Sequence, residues 1–120
     1  MAAKDRLGRE GEELAAAYLR DAGFAVIDRN WRTDAGEIDI VALDRGEIVV
    51  VEVKTRSSLA FGHPLEAVDA RKRARLWRVG LAWCAAHPEH TYGRRLRVDV
   101  IGILTGELSR VTLEHLRDVR

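Results

Sequence analysis

The spacing of apolar residues along the chain predicts two helices. In residues 4–22, apolar or small residues recur at intervals of three and four, as on one face of an amphipathic helix: Leu7, Gly11, Leu14, Tyr18 and Ala22. Gly23 is a suitable C-terminal stop for this helix. A second helix is predicted to begin after Asp69, whose side chain can cap it, and to end near His87, just before Pro88.

Runs rich in β-branched residues predict the strands. They are FAVID (24–28), GEIDIVALD (36–44), GEIVVVEVKTR (46–56) and RLRVDVIGIL (95–104), with LSRVTL (108–113) as a candidate last strand. Residues 29–36 have the composition of a turn. The order of helix, three strands, helix, and one or two strands is typical of an α/β sandwich with one mixed sheet. We expect residues 1–120 to form a single α/β domain.

The second and third strands form a hairpin whose register decides which charged residues meet. A two-residue turn at Arg45 and Gly46 sets Asp39 opposite Glu52 on one face of the sheet. Lys54 and Glu37 lie on the same face. The apolar residues that continue this face toward the turn are Val41, Leu43, Ile48 and Val50. A three-residue Asp-Arg-Gly loop with a bulge at Gly46 is the alternative, and it turns Glu52 to the other face unless a later bulge restores the register.

Glu52 and Lys54 interrupt an otherwise apolar strand, and such charges are rarely buried without a partner. Two carboxylates directly opposite each other repel, and a divalent cation such as Mg²⁺ between them removes the repulsion. A nearby lysine suits a negatively charged substrate such as a phosphate, or a water molecule activated beside a metal. The competing interpretation is a solvated strand end with a Glu–Lys pair that contributes little energy.

The first helix offers a further acid. At about 100° per residue, Glu12 lies at the edge of the apolar stripe, where it can reach over the sheet, whereas Glu13 points away from the stripe. Glu10 lies at the opposite edge, so the periodicity does not exclude it.

Composition and charge narrow the class of protein. The chain has 120 residues, 47% apolar and 32% charged, which is an ordinary globular balance. The net charge of +1 guarantees no basic surface, but residues 70–78 hold five cations and no acid. A single cysteine, Cys84, and the absence of an apolar run of signal-peptide or membrane length predict a soluble, cytoplasmic protein.

Several motifs occur here in the order found in one family. They are G-x-x-x-E on the first helix, RNWR followed by GEIDIVA, then VEVKTR, a Gly-x-Pro, and R-x-D-V in a late strand. On these motifs, the chain resembles the YraN-type family of small bacterial proteins over residues 4–104. That family is in turn similar to archaeal Holliday-junction resolvases and to the PD-(D/E)xK superfamily. The Pro of that superfamily's motif is replaced here by Ile38.

The resemblance implies a fold and a set of site residues. The fold is a restriction-endonuclease-like three-layer α/β core, αβββαβ, with a central mixed sheet. Asp39 and Glu52 are the implied ligands of Mg²⁺ or Mn²⁺, Lys54 is expected beside the attacking water, and Glu12 matches the helix acid that supports the metal. The candidates for contacts with phosphates are Arg56, Arg71, Lys72, Arg73 and Arg75, although a solvated helix face explains most such runs.

The leading hypothesis is therefore a metal-dependent nuclease that hydrolyses DNA phosphodiesters, with structured or branched DNA as the expected partner and a homodimer as a further expectation from the resolvases. One alternative is a nucleic-acid-binding module with the same fold and no turnover. Another is an adaptor that binds a protein.

Asp99, in the late R-x-D-V strand, is interpreted as the buried ion-pair partner of an arginine rather than as a site residue.

Overall fold

The structure is a computed structural model, and it describes residues 3–60, 62–106 and 110–120. Its longer helices are α1 (Ala3–Asp21) and α2 (Ala70–Ala86), followed by a short α3 (Pro88–Thr91). The strands are β1 (Ala25–Thr33), β2 (Gly36–Asp44), β3 (Glu47–Arg56), β4 (Leu96–Leu104) and β5 (Thr112–Leu116). A 3-10 turn, Pro64–Ala67, precedes α2. None of the described helices is long and apolar enough to cross a membrane.

The strands form one mixed sheet with helices on both faces. The order in the sheet is β1-β2-β3-β4-β5, and only the β3–β4 pair is parallel. One apolar cluster packs α1 against one face through Ala15, Ala16 and Leu19. A second cluster packs α2 against the other face through Leu76, Val79 and Trp83. The predicted three-layer α/β core is therefore confirmed, with the element order αβββαβ followed by β5.

The turn between β2 and β3 has two residues. Asp44 pairs with Glu47, and both turn residues have positive φ, 52° at Arg45 and 81° at Gly46. This is the conformation that matches the twist of a tight hairpin. The two-residue register is therefore confirmed.

Two strand predictions were wrong in their bounds. Residues 29–33 are not a turn, because β1 continues to Thr33 and pairs with β2 as far as Gly36. Pairing along β2 overrides the local turn composition. The last strand runs from Thr112 to Leu116, later than predicted, and residues 108 and 109 of that prediction lie outside the described part of the chain.

The buried face of α1 also differs from the predicted stripe. Leu14 is 41% exposed and Ala22 is exposed, whereas Ala15, Ala16 and Leu19 are fully buried. Small residues are needed because the helix lies very close to β3. A Cβ on Gly11 would overlap the Thr55 side chain. The helix is thus turned by about one residue from the orientation that apolarity alone predicts.

Asp99 is a buried ion-pair partner, as predicted. Its carboxylate accepts hydrogen bonds from Arg97 Nε at 2.9 Å and Arg97 Nη2 at 3.0 Å, and lies 2.7 Å from His115 Nε2. Arg97 also donates to Asp44 at 3.0 Å. This network joins β4 to β5 and to the end of β2 on the face covered by α1, so its charges serve packing.

Candidate functional site

The site lies where β2 and β3 part. Their ladder ends at the pair Ile40–Val51, after which β3 continues beside β4 while β2 continues beside β1. The Asp39 side chain spans the opening and accepts a hydrogen bond from the Val53 backbone N–H at 2.8 Å. The strand ladder is thus replaced at this point by a carboxylate.

The alternation of side chains along β2 breaks at the same residue. Ile38 packs in the cluster under α2, whereas Ile40, two residues on, packs in the cluster under α1. Residues two apart on a regular strand share a face, so β2 turns over at Asp39. Asn30, the neighbouring residue of β1, has a φ of 54°. Because of this irregularity, Asp39 is accessible from the α1 side of the sheet. Glu52, in contrast, continues the row of β3 side chains, Ile48 and Val50, that faces α2.

The opening forms a cleft of about 660 Å³ on the α1 side, called here the acidic cleft. Its walls bring together all four predicted catalytic residues, Glu12, Asp39, Glu52 and Lys54. The remaining lining residues are Asp5, Gly8, Arg9, Asn30, Arg32, Glu37 and Val53. The regular pairing of Asp39 with Glu52 is absent, yet their side chains meet across the gap.

The Asp39 and Glu52 carboxyls lie close enough to share a hydrogen bond. Burial, followed by the hydrogen bond and charge of Asp39, raises the pKa of Glu52 to about 9, although the charge of Lys54 acts in the opposite direction. A pKa near 9 favours the protonated form of Glu52 at neutral pH, and in that form the carboxyl can donate a hydrogen bond to Asp39. This arrangement removes the repulsion between two facing acids.

Glu12 reaches the acidic cleft from α1. Burial raises its pKa, the Asp39 charge raises it too, and the guanidinium of Arg29 lowers it. Glu13 is exposed and bonds Arg29 at 2.8 Å, so it holds the arginine that faces Glu12. Glu10 lies on the outer surface of α1, beside Leu14. The structure thus brings Glu12 to the site and leaves Glu10 and Glu13 outside it.

A second, smaller cavity opens on the α2 side and is called here the basic cavity. It has a volume of about 180 Å³ and shares Glu37, Glu52 and Lys54 with the acidic cleft. From α2 it is lined by Lys72, Arg75, Leu76 and Val79. Two of the predicted phosphate contacts, Lys72 and Arg75, are therefore beside the acids.

The other predicted phosphate contacts lie outside both cavities. Arg71 is exposed on α2. Arg73 donates to the Val68 carbonyl at 3.0 Å. Arg56 ends β3, where its backbone carbonyl accepts a hydrogen bond from Thr105 N at 2.9 Å. Successive residues of a helix point in different directions. Lys72 and Arg75 are about one turn apart on the same side of α2, and they are the cations of this run that line the basic cavity.

Arg29 and Arg32 are the site residues that the sequence reasoning missed. Arg29 lies opposite Ile40, next to Asp39, and Arg32 forms an ion pair with Glu37 at 3.1 Å. Both were assigned to a turn. Extending β1 along the GEIDIVA run would have paired Arg29 and Arg32 with residues on either side of Asp39, and this was the signal available in the sequence.

The residues fit a divalent cation in one specific way. Within the described residues, no group of three or more His, Cys, Asp or Glu side chains is arranged to hold a metal. Mg²⁺, however, is commonly held by one or two carboxylates, with water and substrate phosphates completing its shell. Asp39 and Glu52, whose side chains lie within hydrogen-bonding contact, are such a pair.

The fold and the cleft together define a small α/β protein with a pair of carboxyls and a lysine where two strands of its sheet part. Residues 11–103 match the model of the family described as Uncharacterised protein family UPF0102. The chain is 55% identical to a UPF0102 protein of Arthrobacter sp. (strain FB24) over 119 residues, which cover 99% of both chains. It is 52% identical to a UPF0102 protein of Paenarthrobacter aurescens (strain TC1), covering 99% of this chain and 97% of the relative. The chain belongs to the UPF0102 family, which is the YraN-type family that its motifs resemble.

Proposed function

We propose that this protein is a divalent-metal-dependent nuclease that hydrolyses DNA phosphodiester bonds, with structured or branched DNA as its substrate. One observation supports this most: the Asp39 and Glu52 carboxyls share a hydrogen bond at the mouth of a cleft that Lys54 also lines. Two acids that already hold one positive charge between them in the form of a proton are suited to exchange it for a metal ion. The proposed substrate also implies a cytoplasmic protein.

Each side chain has a distinct part in this proposal. Asp39 and Glu52 would hold Mg²⁺ or Mn²⁺, which when bound lowers the pKa of a water molecule and neutralises charge on a phosphate. Lys54 points a cation at the same opening, where it stabilises negative charge that develops on the phosphate oxygens. Glu12 orients water at the edge of the acidic cleft, where the charge of Arg29 lowers its pKa against the burial that raises it.

A cleavage assay tests the proposal. Duplex, single-stranded and four-way-junction DNA are incubated with the protein in Mg²⁺ or Mn²⁺, and Asp39→Asn, Glu52→Gln and Lys54→Ala are compared with wild type. We expect each substitution to slow cleavage by at least about a hundredfold. Asp34→Asn, in the exposed turn between β1 and β2, is the matched control and should cut normally. If no DNA is cut, or if Asp39→Asn cuts at the wild-type rate, the proposal is wrong.

A nucleic-acid-binding module without turnover is the second candidate. It is favoured by the absence of a three-residue ligand group among the described residues. Such a module binds DNA with a salt-dependent affinity that does not change with Asp39→Asn. Metal-dependent cleavage separates the two candidates.

A further inference from the structure

The basic cavity differs in charge from the acidic cleft that it joins. Its cations come from two elements, Lys54 from β3 and Lys72 and Arg75 from α2. None of these three forms an ion pair with a carboxylate within the described part of the chain. The two acids in its wall are engaged elsewhere, because Glu37 pairs with Arg32 at 3.1 Å and Glu52 bonds Asp39.

The position of the cations on α2 also favours an anion. The first half of this helix contains Arg71, Lys72, Arg73 and Arg75 and has no acid in its first turn. Cations near a helix N-terminus are unfavourable, because the partial charge there is already positive. Asp69 offsets part of this as the N-cap, with its carboxylate accepting from Lys72 N at 3.0 Å. A bound anion would remove the remaining cost.

The Arg75 side chain lies over Gly36, the first residue of β2. A Cβ at Gly36 would lie 3.3 Å from Arg75 Cδ and 3.2 Å from Val79 Cγ2, so the arginine stem passes close over the glycine. The same glycine has a φ of 143°, which other residues rarely adopt. Gly36, the first residue of the GEIDIVA run, therefore leaves room for the Arg75 side chain of α2.

Size decides what the basic cavity can hold. At about 180 Å³ it lies below the 300 Å³ or so at which pockets begin to take whole small molecules. It takes a charged group rather than a nucleotide, with the apolar side chains of Leu76 and Val79 forming part of its wall.

We propose that Lys72 and Arg75, together with Lys54 at the boundary with the acidic cleft, form a phosphate subsite on the α2 side of the sheet. This subsite lies beside the carboxyl pair and binds one phosphate group of a nucleic-acid strand. That the ligand is a nucleic acid rests on the proposed function. The subsite would hold a phosphate next to the one that is cut. The phosphate is either the terminal phosphate of a strand or a neighbouring phosphodiester. Arginine and lysine around a small cavity recognise both through the same oxygens.

Titration with inorganic phosphate at low ionic strength, followed by NMR of the backbone amides or by calorimetry, tests the subsite. We expect Lys72→Ala and Arg75→Ala each to weaken phosphate binding about tenfold, because each removes a charge-assisted contact. Arg71→Ala and Arg78→Ala remove exposed cations of the same helix that do not line the cavity, and should stay within about twofold of wild type. Lys72→Arg should restore most of the affinity.

Two further probes distinguish a terminal phosphate from an internal phosphodiester as the natural ligand. Competition by thymidine 5′-monophosphate indicates a terminal phosphate, and competition by the dinucleotide TpT, which has only an internal diester, indicates a neighbouring phosphodiester. Either result supports the subsite. Failure of all three probes to bind, or an equal loss of binding in the Arg71 and Arg78 variants, overturns it.

The outcome is independent of cleavage. Phosphate binding that survives Asp39→Asn in a protein that cuts no DNA supports the subsite and rejects the nuclease. Cleavage and phosphate binding at wild-type levels in Lys72→Ala and Arg75→Ala reject the subsite and leave the nuclease standing.

Discussion

Replacing Glu52 by Gln removes one titratable group and keeps the size of the side chain and a hydrogen-bond donor toward Asp39. In the folded protein the pKa of Glu52 is raised to about 9, against an ordinary value of 4.5 in the unfolded chain. Between these two values the folded chain keeps the Glu52 proton and the unfolded chain loses it. The contribution of this proton to stability is therefore complete below pH 4.5 and is lost as the pH rises toward 9.

The magnitude follows from linkage. One proton bound only by the folded state lowers the free energy of unfolding by about 1.4 kcal/mol for each pH unit. Between pH 5.5 and 7.5, wild type should thus lose about 2.7 kcal/mol relative to Glu52→Gln. The Glu52 side chain keeps partial contact with solvent, so we expect a measured difference of about 1–3 kcal/mol, or several degrees in Tm.

The assay is urea or thermal unfolding at several pH values between 5.5 and 8.5, with EDTA present to remove metal. Glu89→Gln, which changes an exposed acid on α3, is the matched control and should follow the wild-type pH dependence. If Glu52→Gln and wild type have parallel stability curves across this range, Glu52 does not hold a proton in the folded protein. The shared-proton account of the carboxyl pair is then wrong.

Three other outcomes are expected. Adding Mg²⁺ at ten times its Kd should stabilise wild type by about 1.4 kcal/mol, with a smaller gain at acid pH and none in Asp39→Asn, as measured by thermal melts. Gly11→Ala should cost about 1–3 kcal/mol because its Cβ overlaps a side chain of β3, whereas Gly8→Ala, with open space around its Cβ, should gain about 0.5–1 kcal/mol in urea unfolding. Arg97→Met should cost about 3 kcal/mol by removing the guanidinium that pairs with the buried carboxylates of Asp44 and Asp99, while Arg95→Met, at an exposed ion pair, should cost less than about 1 kcal/mol.

The fold was largely predictable because its signals are local. The β-branched runs and the Asp69 cap agree with the structure, whereas the sequence left two hairpin turns open, of which the structure has the two-residue turn at Arg45 and Gly46. The length of β1 was not predictable in this way. Its second half has turn composition and becomes a strand only by pairing with β2, a contact that no local pattern encodes. The two arginines of the site were missed for that reason.

The sequence predicted the residues of the candidate site, but the strand pairing from which it predicted them is absent at Asp39. Register arithmetic places Asp39 opposite Glu52, but the β2–β3 ladder stops one pair earlier, at Ile40 and Val51. The two acids meet because the strands part there and Asp39 bonds Val53 across the gap. The departure from regular pairing, rather than regular pairing itself, brings these side chains together.

The parting of the strands also explains why a core strand carries charges. Glu52 and Lys54 continue the row of Ile48 and Val50 that packs under α2, so a closed sheet would bury them. In the open sheet the same two residues line both the acidic cleft and the basic cavity. Glu12 from one helical layer and the cations of α2 from the other can then act on the same pair. A strand that alternates apolar and charged residues within a core is thus a sign of a sheet that opens at that point, and the opening provides solvent and ligand access to both faces.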